Sequence, residues 1–351
     1  MAPTALDAAT LEKLISAAVA APSIHNTQPW RFRLDPDTAT LRVQAASGRG
    51  LRATDPMGRA LHVSVGAALF NLRVAVARFG WEPVVRLLPC PAEPDVLASV
   101  RLAGPARNNG HRQDLYNAMW LRRSSRFPFS AHRLPPQLLS ELTEAAHTEG
   151  ASLSLPGPDE TTRLLHLTAE AESRNAHDPV RCAESRAWIR DGSPDGLPGS
   201  ALGPQDATER LPMRDFTGTG AGPRSESRPP AATFESHPLI AVLATAHDRR
   251  TDWLRAGQAL EYVLLTATTH SVRASLLHQA LEWPDLRCAL PDARSGPAHV
   301  QMLIRLGYGP AGPATPRRWH ERCTAVDPLV TRRSRALARP DGCPRRAVCR
   351  A

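Results

Sequence analysis

Lysine is almost missing from this 351-residue chain: Lys13 is the only one among 43 lysines and arginines. The skew is what a GC-rich coding sequence produces, so part of the arginine excess carries no function. Aromatic side chains are scarce at 5%, so aliphatic residues and alanine must build the core from a hydrophobic content of 42%. That content is enough to exclude wholesale disorder. The six cysteines (Cys90, Cys182, Cys288, Cys323, Cys343, Cys349) form no C-x-x-C pair and share no zinc spacing with histidine. A zinc module is excluded, no metal is expected, and the thiols read as those of a reducing compartment. Met1 to Thr10 shows neither the basic nor the apolar region of a secretory leader. No run of about 18 apolar residues offers a membrane span. The expected location is cytoplasmic.

What is present begins with charge. The net charge is +9 and the pI about 10.0, a balance that fits nucleic acid, an anionic surface or phosphorylated ligands. The arginines are spread along the chain without a zinc-finger or RNP pattern, which argues against nucleic acid.

A repeat organises the chain. Gly66-Ala-Ala-Leu69 opens an apolar helical run to about Phe79, and Gly257-Gln-Ala-Leu260 opens another to about His270. Apolar residues on nearly every face mark both as buried helices. Each leads to a similar strand, Val96 to Gly104 and Ala298 to Gly309. Upstream, the helix Ala9 to Ala20 resembles Leu138 to Ala146, and each precedes a strand, Trp30 to Leu34 and Ala151 to Leu155. The order helix, strand, strand, long helix, strand occurs twice, which predicts an α+β fold of two fused halves, residues 1–112 and 113–328. The halves are unequal, so the second carries an insertion of about 60 residues, placed at 170–232. Its stretch Asp191 to Pro230 holds seven prolines and seven glycines, and the helical stretch Arg181 to Arg190 precedes it. A partly ordered lid is the expectation. The tail 329–351 holds seven arginines and one acid, Asp341. It reads as a solvated, disordered segment, with an anion-binding arm as the alternative.

Three segments carry chemistry. Ala21-Pro-Ser-Ile-His-Asn-Thr-Gln-Pro-Trp30 lies between a helix and a strand. A helix stop explains Pro22 and one polar residue. It does not explain five hydrogen-bonding side chains (Ser23, His25, Asn26, Thr27, Gln28) between two prolines. A planar ligand with many edge donors and acceptors would use such a loop. Leu121-Arg-Arg-Ser-Ser-Arg-Phe-Pro-Phe129 sets Arg122, Arg123 and Arg126 around Ser124 and Ser125, which suits a terminal phosphate, although a solvated basic turn reads the same way. Thr315-Pro-Arg-Arg-Trp319 adds Arg317 and Arg318.

Together these segments resemble the nitroreductase superfamily, and within it the Acg-type branch of fused two-half proteins, over about residues 8–320. Asp252 to Glu282 and Arg305 to Arg318 resemble the same branch. The resemblance implies a nitroreductase-like fold forming an internal pseudo-dimer, with a lid insertion in the second half. In ordinary members two subunits bind FMN at their interface, one holding the phosphate and the other covering the ring. It implies Arg122, Ser124 and Arg126, with Arg123 adjacent, as the phosphate segment. Arg317 and Arg318 match the basic pair, and Pro22, Ser23, Ile24, His25 and Asn26, followed by Gln28, match the ring loop. The stretch Leu277, His278 and Gln279 matches the one whose backbone reaches flavin N5. Ile24 stands where a hydroxyl is common, and the insertion has no counterpart in the simple enzymes. The first half has the ring loop without an arginine segment. The second has the arginine segment, but Ala146-His-Thr-Glu-Gly150 stands in place of a ring loop. The fused pair therefore builds one complete site.

The implied activity is FMN-dependent oxidoreduction from NADH or NADPH to a small acceptor such as a nitroaromatic or quinone, with no catalytic protein residue, because the flavin carries the hydride. The alternative is a flavin-binding or storage protein whose covered site turns over little. A basic module for nucleic acid or another anion, acting through the tail, is a third reading. A monomer is expected, since the usual dimer interface would be internal.

Overall fold

A computed structural model describes residues 6–106, 110–216, 230–290 and 298–318. The first half runs α1 (Ala8–Val19), β1 (Trp30–Asp35), β2 (Thr40–Ala45), α2 (Arg59–Arg78), β3 (Trp81–Leu87) and β4 (Val96–Pro105). The Asp7 carboxylate accepts the Thr10 amide at 2.8 Å and starts α1. That helix buries Leu14, Ile15, Ala17 and Ala18 on one face. β1 and β2 form an antiparallel hairpin from Trp30↔Ala45 to Asp35↔Thr40. After α3 (Gly110–Leu121), the second half runs α4 (Pro136–Thr148), β5 (Ser152–Ser154), α5 (Pro158–His177), α6 (Pro179–Ala187), β6 (Gln205–Asp206), β7 (Ala231–Ala232), β8 (Leu239–Thr245), α7 (Arg250–Thr269), β9 (Arg273–Leu277), α8 (Pro284–Ala289) and β10 (His299–Gly307).

The two main sheets have the same strand order, β1-β2-β4-β3 and β5-β8-β10-β9. This is the repeat read in the sequence, with one further strand in each half. β3 was hidden by Pro83 and its charged residues, and β9 by its length of five residues.

The halves meet where α2 crosses α7. A Cβ on Gly66 would sit 2.3 Å from the Leu254 carbonyl oxygen, and one on Gly257 would sit 2.1 Å from that of Val63. Only glycine lets these backbones touch. Each long helix consequently lends side chains across the junction. Val63 belongs to the second half's core, and Leu254 and Leu265 belong to the first's. Both helices begin earlier than the glycines, at Arg59 and Arg250, because polar residues of their first turns are buried too: His62 and Ser64 on α2, Asp252 on α7. The His62 Nε2 accepts from Arg250 at 2.9 Å, tying one helix start to the other. By length and composition α2 could cross a bilayer, but 83% of its apolar window is buried inside the protein. It is a core helix. α3, which straddles the expected boundary between the halves, packs against both α2 and α7.

The added chain lies between β5 and β8, where the first half has only a tight turn. It starts at Pro158, earlier than the expected 170. The whole of α5 belongs to it, burying Leu164, Thr168, Ala171 and Asn175 at helical spacing. β6 and β7 pair in parallel within it. Residues 217–229 of the insertion and the expected tail 329–351, with Cys323, Cys343 and Cys349, lie outside the described residues. Cys90, Cys182 and Cys288 are free thiols.

Candidate functional site

Pro22 follows α1, and the chain then turns sharply through Ile24–Asn26. His25, Asn26 and Gln28 have φ of 47°, 53° and 49°. Non-glycine residues in this left-handed region cost about 1–2 kcal/mol each and persist only when held by their surroundings. The holding groups are visible. Ser23 Oγ accepts the Gln28 amide at 3.0 Å, and Ser64 Oγ accepts that of Ile24 at 3.2 Å. Asn26 Nδ2 donates to the carbonyls of Gly196 at 2.8 Å and Pro316 at 3.0 Å. Gln28 Nε2 donates to Pro194 at 2.9 Å, and its Oε1 accepts the Arg318 amide at 2.9 Å. Asn26 and Gln28 thus lash the loop to the insertion and to the 315–318 segment.

His25 is different. It is 4% exposed, and neither ring nitrogen has a hydrogen-bond partner. Burial first, then the charges of Arg214 and His278, hold its pKa well below the usual value. The ring is neutral at pH 7, with one nitrogen able to donate and one able to accept.

The arginine segment approaches from the other half. Ser125 donates its amide to the Ala274 carbonyl at 2.9 Å, and Ser124 bridges to Ala274, so the segment runs along the outer edge of β9. Arg122 is buried, donates to the Ala20 carbonyl at 3.3 Å, and stands 3.7 Å from Glu261. Arg123 reaches back to the Arg122 carbonyl, and Arg126 donates to Ala201 at 2.6 Å. Arg317 donates to Asn26 Oδ1 at 3.0 Å and to the Ala20 carbonyl at 3.2 Å.

Loop and arginines enclose a cavity between the halves. Its larger region, about 80 Å³, is lined by Pro22, Ser23, Ile24, His25, Ser124, Arg126 and His278, with Arg59 and Ser64 of α2. A second region of about 50 Å³ shares Pro22, Ser23, His25, Ser124 and Arg126 and adds Asn26, Arg122, Arg123 and Arg317. Four arginines surround this second region. Burial, then Arg122 and Arg123, push the Arg317 pKa down to about 9; burial and Arg214 push that of Arg126 down to about 10. Buried cations crowded in this way are stabilised by an anion between them.

Four sequence candidates line neither region. Leu277 is buried in the β9–β10 ladder opposite Leu303. Gln279 donates to the Pro212 carbonyl at 3.1 Å. Arg318 pairs with Asp195 and lines an outer groove with Arg123 and Arg317. Gln28 serves the loop and lines neither region.

The sequence reading expected a lid in the insertion but named none of its residues. Arg214 and Phe216 of the insertion stand against His278 and His25, which line the larger region. Phe216 meets the His25 ring edge-on at 5.2 Å, with Arg126 and Arg214 over its face. Arg214 binds both oxygens of Glu282, which also meets His278 Nδ1 at 2.6 Å. Burial alone would raise the Glu282 pKa, but Arg214 and His278 hold it well below the carboxylate range. The spacing of His278 and Glu282, four residues apart at a turn, was the one available signal.

Two antiparallel sheets of the same order, joined through crossing helices, with a loop of one half closing on arginines of the other, define a fused pseudo-dimer with one cavity between its halves. Comparison with known proteins places that architecture. Over 318 residues the chain is 32% identical to a Mycobacterium tuberculosis protein named as an NAD(P)H nitroreductase, covering 89% of this chain and 90% of that one. It is 31% identical over 319 residues to the NAD(P)H nitroreductase-named acg protein of the same organism, covering 88% and 93%. The chain belongs to the nitroreductase family. No family model matches it. Among solved structures, a nitroreductase-named protein of Anabaena variabilis aligns at 12% identity with a TM-score of 0.43, covering 86% of this chain and 88% of that one.

Proposed function

We propose that the cavity binds one FMN and that the protein is an FMN-dependent oxidoreductase drawing on NADH or NADPH. The observation that supports this reading is the meeting of unmet groups across the halves: an arginine cluster in which Arg122 Nε and Arg317 Nε are unpartnered, and beside it the buried, unpartnered His25 ring. FMN matches both, with a phosphate for the cluster and ring-edge donors and acceptors for the loop. Arg122, Arg123, Ser124 and Arg317 would hold the phosphate, and Ser23, Ile24 and His25 would cover the ring, with Arg126 between. When bound, FMN supplies hydride transfer to a small acceptor such as a nitroaromatic or quinone. The residues of the chain orient it, exclude water, and offer hydrogen bonds from neutral His25 and from His278. The names of the mycobacterial relatives support the nicotinamide as reductant. We take the acting form to be a cytoplasmic monomer, its pairing surface already internal and its described thiols free.

A second reading has its own observation. Phe216 and Arg214 of the insertion contact His25 and His278, and an insertion that acted as a closed lid there would make a flavin-holding protein with little turnover. One experiment separates the readings: a visible spectrum of the purified protein, followed by anaerobic NADH and NADPH. About one flavin per chain that bleaches supports the reductase. A flavin that stays oxidised supports holding. No flavin, and none taken up from added FMN, overturns both.

A further inference from the structure

Behind the arginine cluster lies a buried carboxylate without a hydrogen-bond partner. Glu261 sits on α7 with 0% exposure, and neither side-chain oxygen has a hydrogen-bond partner. The nearest cation, Arg122 Nε, stands 3.7 Å away, outside hydrogen-bond range, and is itself unpartnered. The Asn71 amide faces Glu261 from α2 without reaching hydrogen-bond geometry. Such an arrangement is poorly satisfied as it stands, because a buried carboxylate needs either full pairing or a proton.

We propose that Glu261 is a positioning residue that competes with a bound phosphate for Arg122, so that a phosphate-bearing ligand binds with uptake of one proton by the Glu261 carboxyl group. The proposal rests on the phosphate reading of the cluster. The groups facing Glu261 are few among the described residues. Arg122 comes from the segment after α3, Arg317 from the 315–318 segment, and α2 contributes neutral Asn71. α1 contributes the Ala20 carbonyl, which accepts from both arginines.

The direction follows from these charges. Burial raises the Glu261 pKa to about 7, against the pull of Arg122, Asn71 and Arg317. A phosphate on Arg122 and Arg317 neutralises that pull and adds negative charge, moving the group further up. Below pH 7 the carboxyl is already protonated in the free protein, and binding takes up nothing. Above it, the free protein holds a carboxylate and the complex holds the acid. Affinity therefore falls as pH rises, by up to about tenfold per unit. The ligand's own second ionisation, near pH 6, gives the opposite slope below that point.

Calorimetric titration of the flavin-free full chain with FMN and with riboflavin, from pH 6 to 8.5 in two buffers of different ionisation enthalpy, tests this. We expect proton uptake approaching one and weakening FMN affinity above pH 7, a flat profile for riboflavin, and loss of the slope in Glu261→Gln. At pH 8 that variant should bind FMN about tenfold tighter than the parent. FMN binding well above riboflavin with no uptake and no fall above pH 7 overturns the inference and leaves the phosphate site standing. FMN binding no better than riboflavin overturns the phosphate reading and the inference with it. If Glu261→Gln does not fold, the proton count of the parent protein decides.

Discussion

Replacing Arg214 with alanine should lift residues 211–216 off the cavity. The guanidinium grips both oxygens of Glu282, one of them at 3.0 Å, and lies over the Phe216 ring at 5.7 Å. Both members of the pair are buried. Removing one partner of a buried ion pair costs about 3–5 kcal/mol when the other charge is stranded. Glu282 is not fully stranded, since Arg181 remains at 3.5 Å and His278 at 2.6 Å, so we expect about 3 kcal/mol. A segment free to swing away delivers that cost as opening rather than unfolding, and about 3 kcal/mol raises an open population roughly a hundredfold. The assay is release of FMN after dilution, followed by its fluorescence, together with limited trypsin cleavage. Release should accelerate by about 10- to 100-fold, and new cleavage should appear at Arg210. Release within about twofold of the parent, with a lowered Tm, would refute the reasoning and make Arg214 a structural group only. The pH dependence has a definite sign. The Glu282 pKa is depressed in the fold, so its contribution is complete above the unfolded carboxylate range of about 4.3 and is lost as pH falls through the depressed value. Parent release should be insensitive to this pair between pH 6 and 8.

Gly257→Val should lower Tm sharply or prevent folding. Its first added carbon would lie 2.1 Å from a backbone oxygen, which places it at or beyond the upper end of the roughly 1–3 kcal/mol range for overpacking. An unchanged Tm would show that the helices can part. Arg317→Ala should weaken FMN by about 10- to 100-fold, the loss of a charged hydrogen bond, and leave riboflavin unchanged; equal losses for both would remove Arg317 from the phosphate end. Arg305→Leu should destabilise by about 3–5 kcal/mol by stranding Glu235, since Arg305 is fully buried, paired with Glu235 at 2.5 Å and stacked on Phe129 at 3.9 Å. Arg305→Leu with Glu235→Leu should recover much of that, and a double variant no more stable than the single would contradict it.

The repeat was legible because burial dictates composition. Gly66 and Gly257 open matching apolar runs since two backbones must touch there, and no other residue fits. The loop from Pro22 to Gln28 and the arginine segment stood out because they concentrate polar side chains that local structure does not consume. Asn26 and Gln28 carry a second role that the sequence did not show. Left-handed backbone needs local partners, and both side chains answer that need, Asn26 while lining the second cavity region. Arg214, Phe216 and Arg59 were invisible: each is a single ordinary residue whose significance comes only from tertiary position. The start of the added chain was placed late because the regular amphipathic pattern of α5 looks the same in an insertion as in a framework helix.

The loop's strained turn and the segment that secures it lie far apart along the chain, with Asn26 bonding to Pro316 across 290 positions. A ribosome therefore releases the first half, its sheet and its long helix well before the Gly196, Pro316 and Arg318 groups that Asn26 and Gln28 reach exist. During that interval only first-half groups such as Ser23 and Ser64 hold the turn, and the cavity has neither its arginine wall nor its far end. Ligand capacity thus arrives in stages, and a chain stalled or clipped short of residue 315 would carry both sheets and the arginines of 122–126 but lack Arg317 and the carbonyl that secures Asn26.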